Sequence, residues 1–395
     1  MIRRFHVQNF KALRDVSLDL TPLHVLIGPN DSGKTSILEA LAAFCRSVDH
    51  SLAESFLGTW EGRDLVTAGS GSFELGFEAE AEDQQGKLNY GLRIRFPQEA
   101  RQAQLVEETF EGNSTIENLG LIDPAMSSVG WLTKNPSRTG SFPQIPASIV
   151  ERVREAFGNL TVLRWTARNL AMPSALNPAR RYRLETAGFG LPSLLDTILS
   201  ENRQLFDALE ARFRAIFPQV ETLQLPQSQA FDAPVDPADS VLPFSKTVGK
   251  AVRFKFVGQE QTVPASQASD GLLYVLGYLA LLYSPQPPRL LLIEEPENGI
   301  HPNRLREVLG ILRQLIDEHP GTQVIMTTHS PYVLDEFQPE EVTLCRKLPD
   351  GTISTKRLSE SDTVRKQIDV FTLGEIWTAE GDEAIAAETQ KAGQP

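Results

Sequence analysis

The feature that most constrains this chain is an eight-residue run set between a strand and a helix. Val25-Leu26-Ile27 is a short unbroken apolar strand, and it leads directly into Gly28-Pro29-Asn30-Asp31-Ser32-Gly33-Lys34-Thr35. The run fits G-x-x-x-x-G-K-[ST] without a gap. After Ser36, the residues Ile37, Leu38, Leu41, Ala42 and Cys45 recur at helical spacing, leaving Glu39 and Arg46 on other faces. Glycines at both ends let the backbone wrap so that successive N–H groups point inward at phosphate oxygens, and the helix adds its positive N-terminal end. In that geometry Lys34 reaches the outer phosphates of a nucleoside triphosphate and the Thr35 hydroxyl ligates Mg²⁺. An ordinary glycine-rich turn is the alternative, but strand, loop and helix stand here in the order that a phosphate cradle requires.

Two later strands end in residues suited to the same chemistry. Arg289-Leu290-Leu291-Leu292-Ile293 reads as a central strand covered on both faces, and it ends in Glu294-Glu295. The first carboxylate suits magnesium and the second suits orienting and deprotonating the attacking water; a strand merely surfacing into a polar loop is the other reading. Gln323-Val324-Ile325-Met326-Thr327-Thr328 delivers His329, placed to donate a hydrogen bond to the γ phosphate or to that water. Between these sites, Ala268-Ser269-Asp270-Gly271 precedes a helix carrying Leu272, Leu273, Val275, Leu276, Leu279 and Leu282. Ser269 either caps that helix or belongs with Gly271 to a second phosphate-binding surface facing another subunit's ATP.

Composition narrows the setting. At 395 residues and 41% apolar the chain can bury a substantial core, and its length fits about two or three lobes. A formal charge of −13 repels polyanions, so any nucleic-acid contact has to be local. Cys45 and Cys345 lack paired-ligand spacing, which argues against a disulfide framework or a cysteine zinc site and for a reducing cytoplasm. Met1 to His6 lacks the apolar stretch of a secretion signal, and the greasiest run, Leu272 to Tyr283, is too short to span a bilayer. We therefore expect a soluble, cytoplasmic protein with no membrane partner.

The order of phosphate loop, long insertion, Ser-x-Gly before a helix, LLLIEEPENGIHP and MTTHSPYVL resembles the ATP-binding-cassette ATPases of the SMC, RecF and OLD type, and in particular stand-alone OLD-like AAA ATPases without a nuclease domain. Val7 to Leu13 and Val16-Ser17-Leu18 are similar to that group's N-terminal strands. The match is dense over residues 1–46 and 264–337 and architectural elsewhere. The resemblance implies an α/β fold of the P-loop ABC-ATPase type: a mixed central sheet, an antiparallel β subdomain and an inserted compact helical lobe. It makes Gly28 to Ser36 the Walker A loop, Ser269 to Gly271 the signature that reaches across a dimer, Glu294 the Walker B magnesium residue and Glu295 the catalytic glutamate. Glu297 to Pro302 becomes the dimer-contacting loop and His329 the switch histidine. Family members close two heads around two ATP molecules. Three departures stand out: ASDG where transporters carry LSGGQ, Glu-Glu where many families have Asp-Glu, and no glutamine loop that can be placed between Cys45 and Leu75.

The segments expected are 1–72, the first part of the cassette; 73–147, an antiparallel β arm and loop-rich passage; 148–246, an α-rich lobe; 247–358, the rest of the cassette; and 359–395, ending in a disordered acidic tail after Glu380. Residues 73–111 read as a meander with one wet, acidic face, and 112–145 shows no regular period. Arg152, Arg154, Arg164, Arg168, Arg180, Arg181 and Arg183, with Trp165 and Tyr182 among them, form the chain's one basic concentration. They suit phosphate and base recognition, or they pair with acids such as Glu151, Glu155 and Glu185. No heptad segment indicates a rod-like coiled coil, and no nuclease centre is expected.

The leading expectation is Mg-dependent ATP binding and hydrolysis, with ATP-driven homodimerisation of heads regulating a nucleic-acid-directed or anti-phage defence activity through a separate effector. A membrane transporter's ATPase subunit and a nucleotide-gated scaffold with little turnover are the alternatives.

Overall fold

Alternating strands and continuously apolar strands separate into different sheets. In a computed structural model, which describes residues 1–56, 62–83, 85–96, 103–112, 115–118, 122–142, 145–177, 182–233 and 247–387, the chain forms two compact units. One comprises residues 1–160 and 323–395, the other 161–322.

The first unit opens with an antiparallel pair, β1 (Ile2–Phe10) and β2 (Leu13–Asp19), whose turn residue Lys11 is left-handed (φ 51°). β3 (Leu23–Ile27) is buried throughout and leads to α1 (Lys34–Arg46) and α2 (Leu52–Phe56). The alternating run then gives β4 (Glu74–Asp83), β5 (Gly86–Arg95) and β6 (Gln104–Gly112), with β7 (Thr115–Asn118) at the edge. The sheet order is β2-β1-β4-β5-β6-β7, and the β4–β5 register runs from Glu74↔Arg95 to Asp83↔Gly86. The apolar side of this sheet packs on Phe44 of α1, whose ring lies 5.8 Å from Phe5, 6.2 Å from Phe77 and 5.7 Å from Tyr90. Such pairs add about 0.5–1.5 kcal/mol each beyond burial, which fastens the helix behind the glycine-rich loop to the antiparallel sheet.

The expected loop-rich passage holds α3 (Ser128–Lys134) as well as β7. Ser127 caps α3 by accepting from Gly130 N, and Gly130 lies so close to Ser47 O that a Cβ would meet it at 2.9 Å. Capping and tertiary contact, not periodicity, make this seven-residue helix. α4 (Ala147–Phe157) follows and brings Phe157 to 5.4 Å from Phe44.

The second unit runs β8 (Leu160–Leu163), α5 (Ala167–Ala171), β9 (Ser174–Ala175), α6 (Leu191–Glu201), α7 (Arg203–Ile216), β10 (Val220–Gln224), β11 (Gln227–Gln229), β12 (Val248–Lys250), β13 (Arg253–Phe256), β14 (Thr262–Pro264), α8 (Asp270–Leu282), β15 (Leu290–Glu294) and α9 (Pro302–Glu318). Asn202 breaks α6 from α7 by accepting from Gln204 N and Leu205 N. The strands form the small sheets β10-β13-β14 and β11-β12-β9, while β15 lies beside β8.

The chain re-enters the first unit as β16 (Gln323–Thr327), α10 (Pro331–Leu334), β17 (Val342–Lys347), β18 (Ile353–Arg357), α11 (Asp362–Gln367) and α12 (Leu373–Ala387). Here the order is β18-β17-β3-β16, with β3 parallel to β16 and β17, and β17 antiparallel to β18. The sheet is therefore mixed, as expected. Gln323, the first residue of β16, ties that strand to the N-terminal segment by donating to Ile2 O and Thr21 O and accepting from Ile2 N. The tail differs from expectation: the helix continues past a kink at Gly381 to Ala387, held by buried Ile385, whose carbonyl accepts from Lys356 Nζ at 2.8 Å. Residues 388–395 lie outside the described residues. Both cysteines are free and buried, and no helix among the described residues is long and apolar enough to cross a membrane.

Candidate nucleotide-binding site

At the end of β3 the backbone turns through Gly28 (φ 139°), Asp31 (φ 66°) and Gly33 (φ 84°). Glycine is required at Gly28 on two counts: the positive φ, and a Cβ that would meet Cys345 O at 2.2 Å. Gly33 is the N-cap of α1 and offers no side-chain cap, which leaves the first-turn amides aimed at the loop. Lys34 is buried, and its Nζ donates to Gly28 O and Pro29 O at 2.8 Å each and to Ser32 Oγ at 3.3 Å. The same nitrogen lies 3.5 Å from His329 Nδ1, so the structure brings these two sequence-identified residues together. His329 follows β16, where Thr328 Oγ1 accepts from Ser330 N at 3.0 Å. Pro29, Asn30, Asp31 and Thr35 are exposed, and Asp31 is paired with Lys347 of β17.

Glu294 and Glu295 belong to the second unit, where β15 is buried until its last residue. Glu294 Oε1 accepts from Arg164 Nη2 at 2.6 Å. Glu295 has a left-handed backbone (φ 45°), and its Oε2 accepts from Asn298 Nδ2 at 2.7 Å. Both carboxylates line a pocket of about 170 Å³ with Arg164, Trp165 and Tyr274. The Tyr274 hydroxyl donates to Trp165 O at 3.2 Å, and burial, with the Asp270 charge, pushes its pKa up. Arg164 and Asn298 are contacts that sequence reasoning missed. The glutamate run points to the pocket, but nothing local marks an arginine 130 residues away.

Ser269 and Gly271 lie at the start of α8, also in the second unit. Ser269 occupies the N-cap, yet its side chain makes no capping hydrogen bond and is exposed. An added Cβ on Gly271 meets nothing within 4 Å. Neither residue is explained by the packing of its own helix.

Among the described residues, three arginines of the run face carboxylates. Arg152 grips Asp83 through Nε at 2.8 Å and Nη2 at 3.1 Å, Arg154 lies 3.8 Å from Asp49, and Arg164 pairs with Glu294. These acids are distant in sequence. Trp165 packs on Tyr278 with ring centroids 4.7 Å apart, and Tyr182 Oη donates to Glu201. Arg168 and Arg183 are exposed; Arg180 and Arg181 lie outside the described residues.

The residues present fit a magnesium–triphosphate. In the first unit a glycine-shaped loop with uncapped amides suits phosphate oxygens, Lys34 is turned onto the loop, and the exposed Thr35 hydroxyl is a hard oxygen donor of the kind Mg²⁺ takes; in the second unit the Glu294 carboxylate is another such donor. Among the described residues, no group of three or more His, Cys, Asp or Glu could hold a metal ion.

The chain is 24% identical over 391 residues to the OLD nuclease of Thermus scotoductus, a match covering 92% of this chain and 65% of that protein, so the chain spans less than two thirds of this relative's length. Among solved structures it is similar to an SMC head bound to the C-winged helix domain of ScpA (TM-score 0.52, 13% identity, 90% of this chain and 96% of that one). It is also similar to an SMC head with an extended coiled coil bound to the C-terminal domain of ScpA derived from Pyrococcus furiosus (TM-score 0.53, 12% identity, 93% and 99%). At these identities the structural likeness speaks for the fold. Residues 23–335 match the family described as "AAA domain, putative AbiEii toxin, Type IV TA system". The chain belongs to that family and is a P-loop ATPase with an SMC-head-like, OLD-related fold.

Proposed function

We propose that this ATPase works as a pair of heads closing around MgATP, with turnover reopening them to control a nucleic-acid-directed or anti-phage defence activity carried out with a separate effector. The observation that carries the nucleotide reading is the loop from Gly28 to Lys34, whose glycines are demanded by backbone and packing and whose lysine lies beside His329. In this reading Gly28 to Ser36 bind the phosphates, and Lys34 neutralises the β and γ charges. Thr35 and Glu294 hold Mg²⁺, which when bound supplies charge stabilisation to the transferring phosphoryl group. Glu295 accepts the proton of the attacking water, and His329 donates a hydrogen bond to the γ phosphate.

Dimerisation is supported by Ser269 and Gly271, an uncommitted hydroxyl and a glycine whose own surroundings do not require it. The nucleic-acid-directed setting is supported by the name of the Thermus relative, a nuclease, and the family description names a toxin system. Exposed Arg168 and Arg183 are the remaining described arginines of the run that could meet a nucleic-acid backbone.

The test is Glu295→Gln with ATP in light scattering. A stable dimer that retains ATP without releasing phosphate is expected. Monomers at saturating ATP would refute the paired-head reading, and unchanged ATP affinity in Lys34→Ala would refute the cradle itself.

A further inference from the structure

The contact that the nucleotide chemistry leaves unexplained is Arg164 on Glu294. Arg164 follows β8, and Glu294 ends the neighbouring β15. The arginine's backbone is fixed: Trp165 packs against Tyr278 and against Gly277, where a Cβ would meet the indole at 2.8 Å, and Tyr274 holds Trp165 O. Its side chain, in contrast, is 43% exposed, while that of Glu294 is 20% exposed. An anchored strand thus presents an outward-reaching guanidinium to the carboxylate at 2.6 Å.

We propose that Arg164 is a positioning residue for the magnesium carboxylate: it holds Glu294 in place through Oε1 until the cation arrives, and the two cations then compete for that oxygen. This rests on the nucleotide reading above and adds the regulation of its metal step. The guanidinium takes one acceptor direction on Oε1 and neutralises part of the carboxylate charge, so a Mg²⁺ bound by Glu294 would meet a like charge beside it and a weakened donor. Because the pair is partly exposed, the competition is modest. Exposed pairs of this kind correspond to about a two- to fivefold change in an equilibrium constant. Both side chains line a pocket of about 170 Å³, so open space lies next to the pair.

The experiment is a Mg²⁺ titration of the binding of a non-hydrolysable ATP analogue, followed by calorimetry, for the full chain and its Arg164→Gln and Arg164→Lys variants. Arg164→Gln should lower the half-saturating Mg²⁺ by about two- to fivefold while leaving binding without Mg²⁺ unchanged, and Arg164→Lys should stay near wild type. A half-saturation that is unchanged or raised in Arg164→Gln overturns the proposal. So does a loss of metal-free binding, since the arginine would then be holding the nucleotide. Metal-free urea unfolding supplies a readout without ligand: Arg164→Gln, Glu294→Gln and the double variant should show non-additive losses, and additive losses overturn the pairing. Lys34→Ala separates the two levels, because wild-type analogue binding in that variant refutes the nucleotide reading whatever Arg164 does.

Discussion

His24 should make the strand that feeds the phosphate loop sensitive to acid. It lies in β3, fully buried, between Thr21 and Thr343. Thr21 Oγ1 gives its single proton to Leu23 O at 2.6 Å, so toward His24 Nδ1, 3.1 Å away, it can only accept; Nδ1 therefore carries the hydrogen and Nε2 accepts from Thr343 Oγ1 at 2.9 Å. A neutral ring satisfies both contacts. Burial, helped by the Arg357 charge, lowers its pKa from 6.5 to about 3. Because the folded value is depressed, the unfolded chain binds a proton below pH 6.5 that the folded chain refuses. The stability is whole above pH 6.5 and is lost as pH falls from there toward about 3. At pH 5 the loss is about 1.5 pH units at 1.36 kcal/mol each, or about 2 kcal/mol. His24→Gln keeps a donor and an acceptor but cannot titrate. Urea unfolding of both proteins at pH 7.5 and pH 5 isolates the effect, since all other groups cancel in the difference. The stability advantage of wild type over variant should shrink by about 2 kcal/mol at the lower pH. A difference that does not change with pH would refute the buried, neutral assignment.

Two glycines make opposite predictions. Gly28→Ala forces a Cβ to within 2.2 Å of Cys345 O at a positive φ, which should cost about 3 kcal/mol or more and lower the melting temperature along with ATP binding; a wild-type melting temperature would show that the loop can relax. Gly271→Ala places its methyl in open space in the first turn of α8 and should leave stability unchanged or raise it by up to about 1 kcal/mol. Phosphate release by that variant should nevertheless fall if the residue faces a partner's nucleotide, and full turnover would sink that role.

The parts legible in the sequence were those written in local patterns. The unbroken run of β3, the alternation of β4 and β5 and the Glu294-Glu295 strand end each fix an element without outside help. Phe44 shows the first limit. Helical spacing marks Ile37, Leu38, Leu41, Ala42 and Cys45, but α1 also buries Ala40, Ala43 and Phe44, because it contacts both β1 and β16. A helix covered on more than one side has no clean stripe to read. Arg152 and Arg164 show the second. Their clustering in sequence reads as one basic surface, whereas each is matched by an acid on a separate strand, Asp83 of β4 and Glu294 of β15. Composition gives the charges, and only the fold gives the pairs. Glu108 of β6 adds a third case. It looks like another acid of the wet face but is fully buried, accepting from the Tyr90 hydroxyl and Ser128 N at 2.6 Å each. Burial raises its pKa.

Glu295 is where local preference and chemistry part company. A glutamate at φ 45° costs about 1 kcal/mol, and a glycine at that place would adopt the same backbone without strain. The turn itself is made by main chain, Asn298 N donating to Glu295 O at 2.9 Å, and it survives loss of the side chain. Glu295→Gly gives up the exposed Asn298 contact and adds freedom to the unfolded chain, so its stability should lie within about 1 kcal/mol of wild type. Turnover should still vanish, as completely as in Glu295→Gln. If the glycine variant loses more than about 2 kcal/mol, the carboxylate is holding the turn and its strained backbone needs no catalytic explanation. If stability is kept and hydrolysis is lost, a residue ill-suited to its backbone is there for the proton it accepts.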